Sequence, residues 1–427
     1  MKSILIRDGA VLTGEGWLEP GYVLVAGDEI QAVGAGAPPH GMKGDETVDA
    51  AHCAVLPGLI NGHTHFSQSF MRGLGGGLPL LPWLKERIWP LQRAMTPETL
   101  RLAARLALVE NLRCGATTVV DHHKIARTAA HTAAVCEAAA EVGLRVTVAR
   151  AWADLGTGSE EPEEILEDLE RLLERWSGSP HVTVANGPVA LWRCSPETLQ
   201  RTHALIRAHD GVTHAHVAET RDEVTLSLEA HDLRPVAWLE EIGVLGPEME
   251  LVHAVWLDER EVDLIARRQA TVVHCPLANM VLGSGAAPVP DLGARAVSLR
   301  LGSDGPASND TQDLFEVMKA ALNLARVTAL DPTVLAPDAV LRMATGGRAL
   351  APGVPADLIV VNLNHPRAVP VHDLDAALVL CSHGSDVRTV IVGGEVLLRD
   401  GELLVLDERA LLEECRRAAK ALAERSG

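Results

Sequence analysis

His63 and His65 stand one residue apart in Asn61-Gly62-His63-Thr64-His65, directly after an apolar run. In extended chain alternate side chains share a face, so the two imidazoles point the same way. Two ring nitrogens on one side of a strand end make half of a metal site. On its own the pair reads more readily as two polar residues closing a strand. Further along come His214-Ala215-His216-Val217-Ala218-Glu219, His253, His274 and Gly302-Ser303-Asp304-Gly305, each at the end of another apolar run. Three imidazoles and one carboxylate around a cation leave a position open for water, as catalytic sites do. By alternation His214 shares a face with His216, so residue type alone leaves either as the donor.

These groups meet only if the elements carrying them converge. Strand-like runs occur at 54–60, 117–120, 145–149, 182–185, 213–217, 251–255, 271–274 and 297–301, with helical patterns such as 97–114, 163–176, 196–209 and 221–242 between them. Eight strands and seven crossovers match the rhythm of an α/β fold, a (β/α)8 TIM-type barrel over 58–351. Side chains at the C-terminal strand ends of such a barrel gather at one mouth. The two chain ends, 1–57 and 352–427, are rich in short β runs and turn residues, and a helix over 408–424 closes the chain. They are expected to build one small β-sandwich together.

Of 427 residues, 47% are hydrophobic and 22% charged, an ordinary globular balance. The net charge of −19 argues against nucleic acid or an anionic membrane as partner. Seven cysteines, an odd number with no C-x-x-C spacing, suit a reducing cytosol. Neither a signal-peptide stretch nor a run long enough to span a membrane is read, so a cytoplasmic protein is expected. The H-x-E and P-C-x-x-C pair of one zinc deaminase class, the phosphate-binding G-x-x-x-x-G-K-[ST] and the zincin H-E-x-x-H are all missing.

The segments 57–65, His216-Val217-Ala218-Glu219-Thr220, Leu251-Val252-His253, His274-Cys275-Pro276 with Asn279 and Gly283-Ser284-Gly285, and 302–305 together resemble the amidohydrolase superfamily, in its mononuclear-metal deaminase and chlorohydrolase branch. Pro355-Ala356-Asp357-Leu358-Ile359-Val360 and Val390-Ile391-Val392-Gly393-Gly394 resemble its returning sandwich. The resemblance implies His63, His65, His216 and Asp304 as ligands of one divalent metal, with Zn²⁺ first and Fe²⁺ or Mn²⁺ able to accept the same donors. It implies Glu219, His253 and Asp304 as catalytic. Metal coordination supplies hydroxide near neutral pH, and Asp304 takes the proton. Glu219 protonates a ring nitrogen of the substrate, and His253 steadies the developing oxyanion. The run 182–188 holds no lysine to bridge a second metal, which favours one ion.

The stretch from Phe66 to about Met95 is a long loop, the kind that shapes a barrel pocket. Its Leu81-Pro82-Trp83-Leu84 through Gln92 resembles the corresponding region of methylthioadenosine/S-adenosylhomocysteine deaminases and triazine hydrolases. Those nucleoside deaminases usually carry a ribose-binding Glu where this chain has Gln92. The run Gly73-Leu74-Gly75-Gly76-Gly77 reads as a mobile loop over the site. Candidate substrate contacts are Gln68, Arg72, Trp83, Gln92, His122 and His274. The reading is a metal-dependent hydrolytic deaminase of a purine, pterin, pyrimidine or adenosine-type ring, with metal hydroxide attacking the C–NH₂ carbon. Loss of chloride or an alkylamine from a triazine is the alternative, since only the leaving group differs. A barrel kept for binding alone would be expected to have lost a ligand or the acid, and all six residues are present. The partner is thus a small heterocycle, and a homo-oligomer is expected on general grounds.

Overall fold

The computed structural model describes every residue except Met1, Gly76 and Gly427, so part of the expected mobile glycine loop lies outside the described residues. The N-terminal part forms β1 (Ser3–Thr13), β2 (Gly16–Ala26), β3 (Glu29–Ala35), β4 (Glu46–Asp49) and β5 (Cys53–Pro57). Eight strands follow in a second sheet: β6 (Leu59–Thr64), β7 (Ala116–His123), β8 (Arg145–Trp152), β9 (Val182–Pro188), β10 (Thr213–Val217), β11 (Met249–His253), β12 (Thr271–His274) and β13 (Ser298–Leu301). They pair in chain order, all parallel, with crossovers made mostly of helices. The first and last strands also meet, for Asp304 N–H donates to the His63 carbonyl at 2.9 Å. Gly302 allows that approach: a Cβ there would stand 2.8 Å from His63 Cβ.

The returning chain adds β14 (Leu358–Asn362), β15 (Val387–Val392), β16 (Glu395–Arg399) and β17 (Glu402–Leu403). Both chain ends join in one mixed sheet of order β17-β16-β15-β14-β5-β1-β2-β3, with β4 on β1. Its central strands are buried on both faces, which is why they read as unbroken apolar runs. Val55, Leu358, Val360 and Ile391 pack with Ile4, Ile6, Val23 and Val25 inside this sheet's own core. Ala54, Leu56, Ile359, Val361 and Val390 pack into the large cluster that includes barrel residues such as Leu108 and Leu112. Each fully buried Leu, Ile or Val is worth about 1.5–3 kcal/mol. Asp357 adds a polar clamp, accepting from Arg145 Nε on β8 at 2.6 Å and from Gly393 N–H at 2.8 Å.

Two expected elements are divided. The run 54–60 is not one strand: β5 belongs to the chain-end sheet and β6 to the barrel. The break falls at Gly58, where any Cβ would lie 2.1 Å from the Thr117 side chain. The helix expected over 221–242 is two helices, Arg221–His231 and Pro235–Glu241. Asp232 ends the first in a left-handed conformation at φ 54, and Pro235 starts the second. Among the described residues no helix is long and apolar enough to cross a membrane.

Candidate active site

His63 and His65 leave β6 on the same side, as alternation requires, and reach the carboxylate of Asp304 from the end of β13. His63 Nε2 lies 3.5 Å and His65 Nε2 3.3 Å from Asp304 Oδ1. The His216 ring, from β10, sits 4.9 Å from the His63 ring and 5.4 Å from that of His65, centroid to centroid. Ring nitrogens of His63, His216 and His253 lie within 4.8 Å of one another, as do those of His65, His122 and His216. Burial, reinforced by neighbouring cationic or titratable groups, holds His63, His65 and His216 well below the usual histidine pKa. Neutral imidazoles offer lone pairs, and His63 Nε2 is buried with no hydrogen-bond partner. This donor set fits a divalent cation.

Supporting groups aim those lone pairs. Glu250, paired with Arg300, accepts from His214 Nδ1–H at 2.7 Å. His214 Nε2 faces His63 Nδ1 at 2.8 Å. A donor on His63 and an acceptor on His214 satisfy this contact and leave His63 Nε2 free, a tautomer assigned from its partners. His214 therefore orients a candidate ligand, which separates its place from that of His216. His65 Nδ1–H donates to the backbone carbonyl of His122 at 2.9 Å, with the same effect on its Nε2. Beneath Asp304, Gln312 Nε2 donates to its carbonyl at 3.0 Å, and Gln312 Oε1 accepts from Thr64 Oγ1 at 2.8 Å.

Glu219 and His253 stand on the other wall, 3.6 Å apart from Oε2 to Nε2. Ser284 Oγ donates to Glu219 Oε1 at 3.0 Å, and Glu223 Oε2 accepts the Glu219 backbone N–H at 2.9 Å. Asn279 Oδ1 accepts from His253 Nδ1–H at 2.9 Å. Burial opposes charging His253, but the Glu219 and Asp304 carboxylates, the Asn279 bond and Glu223 prevail and hold its pKa above the usual value. Ala218, His253, Ala254 and Asp304 all have left-handed backbone, with φ between 48° and 69°. Each costs on the order of 1–3 kcal/mol for a residue with a Cβ, strain that concentrates where chemistry needs fixed geometry.

A cavity of about 940 Å³, counted with its mouth, opens over these groups and is lined by His65, His216, Glu219, His253 and Asp304. Of the other expected contacts, Gln68, Trp83 and Gln92 line it. The 66–95 segment is largely helical: a continuous helix over 80–94, with a π-helical turn at 84–88, hangs across the opening. Trp83 both lines the cavity and pins the segment, donating Nε1–H to the Leu74 carbonyl at 2.9 Å. Gln92 Nε2 donates to Ser67 Oγ at 3.2 Å.

Arg72, His122 and His274 are not on the cavity wall. Arg72 is held in an ion pair by Glu110 of the helix over 97–113, a partner 38 residues away. His122 and His274 are buried at the strand ends, His122 packed edge-on against His216 with ring centroids 4.7 Å apart. Cys275 is buried and its thiol is pushed up by burial and by Asp304 and Glu219, an inert packing group. Sequence reading missed Lys124, Trp192, Arg193 and Glu223, all on the wall. Glu223 lies four residues beyond Glu219, in the first turn of the helix Arg221–His231; Lys124 directly follows the His122-His123 pair at the end of β7.

Residues 54–397 match a model of the amidohydrolase family. The chain is 37% identical to a 5-methylthioadenosine/S-adenosylhomocysteine deaminase of Syntrophobacter fumaroxidans, covering 98% of each chain. It is also 37% identical to a 5'-deoxyadenosine deaminase of Methanothermobacter thermautotrophicus, covering 99% of each. Among solved structures, an adenosine deaminase from Xanthomonas campestris with bound zinc superposes with a TM-score of 0.92 at 29% identity, over 99% of both chains. A mutant atrazine chlorohydrolase from Arthrobacter aurescens, complexed with zinc and atraton, gives 0.92 at 25% identity, over 97% of this chain and 100% of that one. With a family match over most of its length and end-to-end relatives at this identity, the chain belongs to the amidohydrolase family of hydrolases.

Proposed function

We propose that the protein releases ammonia hydrolytically from an amino-substituted nitrogen heterocycle, R–NH₂ and water giving R–OH and NH₃. The observation that carries this reading is the convergence of neutral imidazoles, Asp304, Glu219 and His253 on one cavity. His63, His65, His216 and Asp304 would hold one divalent cation, for which zinc is the first choice by donor type. When bound, the cation lowers the pKa of water toward neutrality and so supplies the nucleophile. Asp304 accepts a proton at its carboxylate as the oxygen attacks. Glu219, its Oε1 fixed by Ser284, protonates the ring nitrogen next to the amino-bearing carbon, making that carbon electrophilic. His253, with Nδ1–H committed to Asn279, presents Nε2 to the developing oxygen anion. The proton taken up by Asp304 then passes to the departing amino group, which leaves as ammonia, and the hydroxylated ring returns a proton to Glu219.

The relatives named as deaminases of adenosine derivatives support this chemistry. Residues 58–351 form the catalytic unit, and the chain-end sheet, residues 1–57 and 352–427, braces it. The test is an ammonia-release screen of the zinc-loaded protein against purines, pterins, pyrimidines, adenosine derivatives and triazines. Ammonia from at least one ring is the expected result. Chloride or alkylamine release from a triazine, with no ammonia from any ring, overturns deamination.

A further inference from the structure

Lys124 lines the same cavity as His65, His216, Glu219 and Asp304 and, among the described residues, has no hydrogen bond or ion pair. Asp304, Glu219 and Glu223 are the carboxylates whose fields reach it, and each has another partner. Asp304 Oδ1 accepts Gly305 N–H at 2.6 Å, Glu219 Oε1 accepts Ser284 Oγ–H, and Glu223 accepts the Glu219 N–H. Burial pushes the Lys124 ammonium down to about 8. Lys124 is half-buried; a cation partly withdrawn from water without a partner costs free energy, and such groups in clefts mark places where a ligand completes the pairing. That wall also carries Trp83, Trp89, Trp192 and leucines, flat and apolar surfaces suited to a ring, beside polar groups that include Gln68, Gln92 and Arg193. Lys124 directly follows β7, and its charge reaches His65, His216 and Asp304, so its partner belongs to the reacting ring and not to a distant tail.

We infer that Lys124 donates to an oxygen on the reacting ring, so that the substrate is an oxo-substituted amino-heterocycle and not an oxo-free one. This rests on the deaminase reading above for its choice of ring, but it is tested by binding, without turnover. Rings lacking the amino group release no ammonia, and the three wall tryptophans report their binding by fluorescence. The zinc-loaded full chain is titrated with three matched pairs: hypoxanthine and purine, 4-hydroxypyrimidine and pyrimidine, 4-hydroxypteridine and pteridine. The oxo member of at least one pair is expected to bind about 10- to 100-fold tighter, the worth of a charge-assisted hydrogen bond. In Lys124→Met that preference falls below about threefold, while zinc content stays at the wild-type value. Lys124→Arg keeps the charge with a different reach and serves as the second variant.

No oxo preference in any pair, or a preference that survives in Lys124→Met, overturns the inference. A uniform loss of affinity for both members of a pair also overturns it, since that marks Lys124 as a general counter-charge. Ammonia release without oxo preference sinks the Lys124 assignment alone. Oxo-selective binding with no ammonia from any ring sinks deamination and leaves Lys124 in place.

Discussion

His214 Nε2 lies 2.8 Å from His63 Nδ1, and the other nitrogen of His214 lies 2.7 Å from Glu250 Oε2. His214 and Glu250 are direct neighbours across β10 and β11, so sheet register alone brings them together. The Glu250 pKa is lowered: burial works against its charge, but the His214 hydrogen bond and the Arg300 guanidinium outweigh that cost. A carboxylate pulling on His214 makes His63 Nε2 a fixed and more basic donor.

Removing this relay is expected to weaken metal binding without touching a ligand. His214→Ala should lower zinc affinity about 10- to 100-fold. Competition against a chromophoric chelator measures it. An unchanged affinity would show that His63 needs no support from behind.

Glu219→Gln separates proton transfer from metal binding. Its carboxyl is held by Ser284 and stands apart from the cluster of His63, His65 and Asp304. Turnover is expected to fall about 10²- to 10⁴-fold with zinc content unchanged. Near-normal turnover on a confirmed substrate would remove Glu219 from the acid role.

The parts of this site readable in sequence are those set by local geometry. His63 and His65 share a face because strands alternate, and Glu219 follows His216 closely enough to reach the same mouth. The barrel itself shows in the spacing of apolar runs. Partners contributed by distant elements stayed hidden. Arg72 looks like a pocket cation until the helix over 97–113 brings Glu110 to it. His214 looks like a ligand until Glu250 arrives on the neighbouring strand. Gly58 divides an apolar run that reads as one strand because the obstacle, Thr117, lies in the next one.

Gly302 tests how closely the first and last barrel strands must meet. An added Cβ would stand 2.8 Å from His63 Cβ and 3.0 Å from His63 N, atoms with no flexible end to move aside. Gly302→Ala is expected to cost about 1–3 kcal/mol and to reduce zinc content. Gly293, in the short helix Val289–Ala294, has nothing within 4 Å of its Cβ position and is the control. Gly293→Ala should stabilise by about 0.5–1 kcal/mol with full zinc content. Equal behaviour of the two variants in thermal melts and metal analysis would show that the strand contact is loose.

His274 supplies a test of pH linkage away from the proposed ligands. It is 1% exposed, and burial, with a smaller contribution from His253, pushes its pKa from the usual histidine range down to about 3. Between those values the unfolded chain holds a proton at this position that the folded chain refuses. Its contribution to stability is therefore full above about pH 6.5 and is lost as pH falls toward 3. The slope is about 1.4 kcal/mol per pH unit for one proton. His274→Gln removes this titration, whatever it costs in packing at neutral pH. Denaturant unfolding of the zinc-loaded protein at pH 7.5 and 5.5 should show a stability loss smaller by about 1.4 kcal/mol in the variant than in the wild type. The same loss in both would mean that the folded protein already admits a proton at His274.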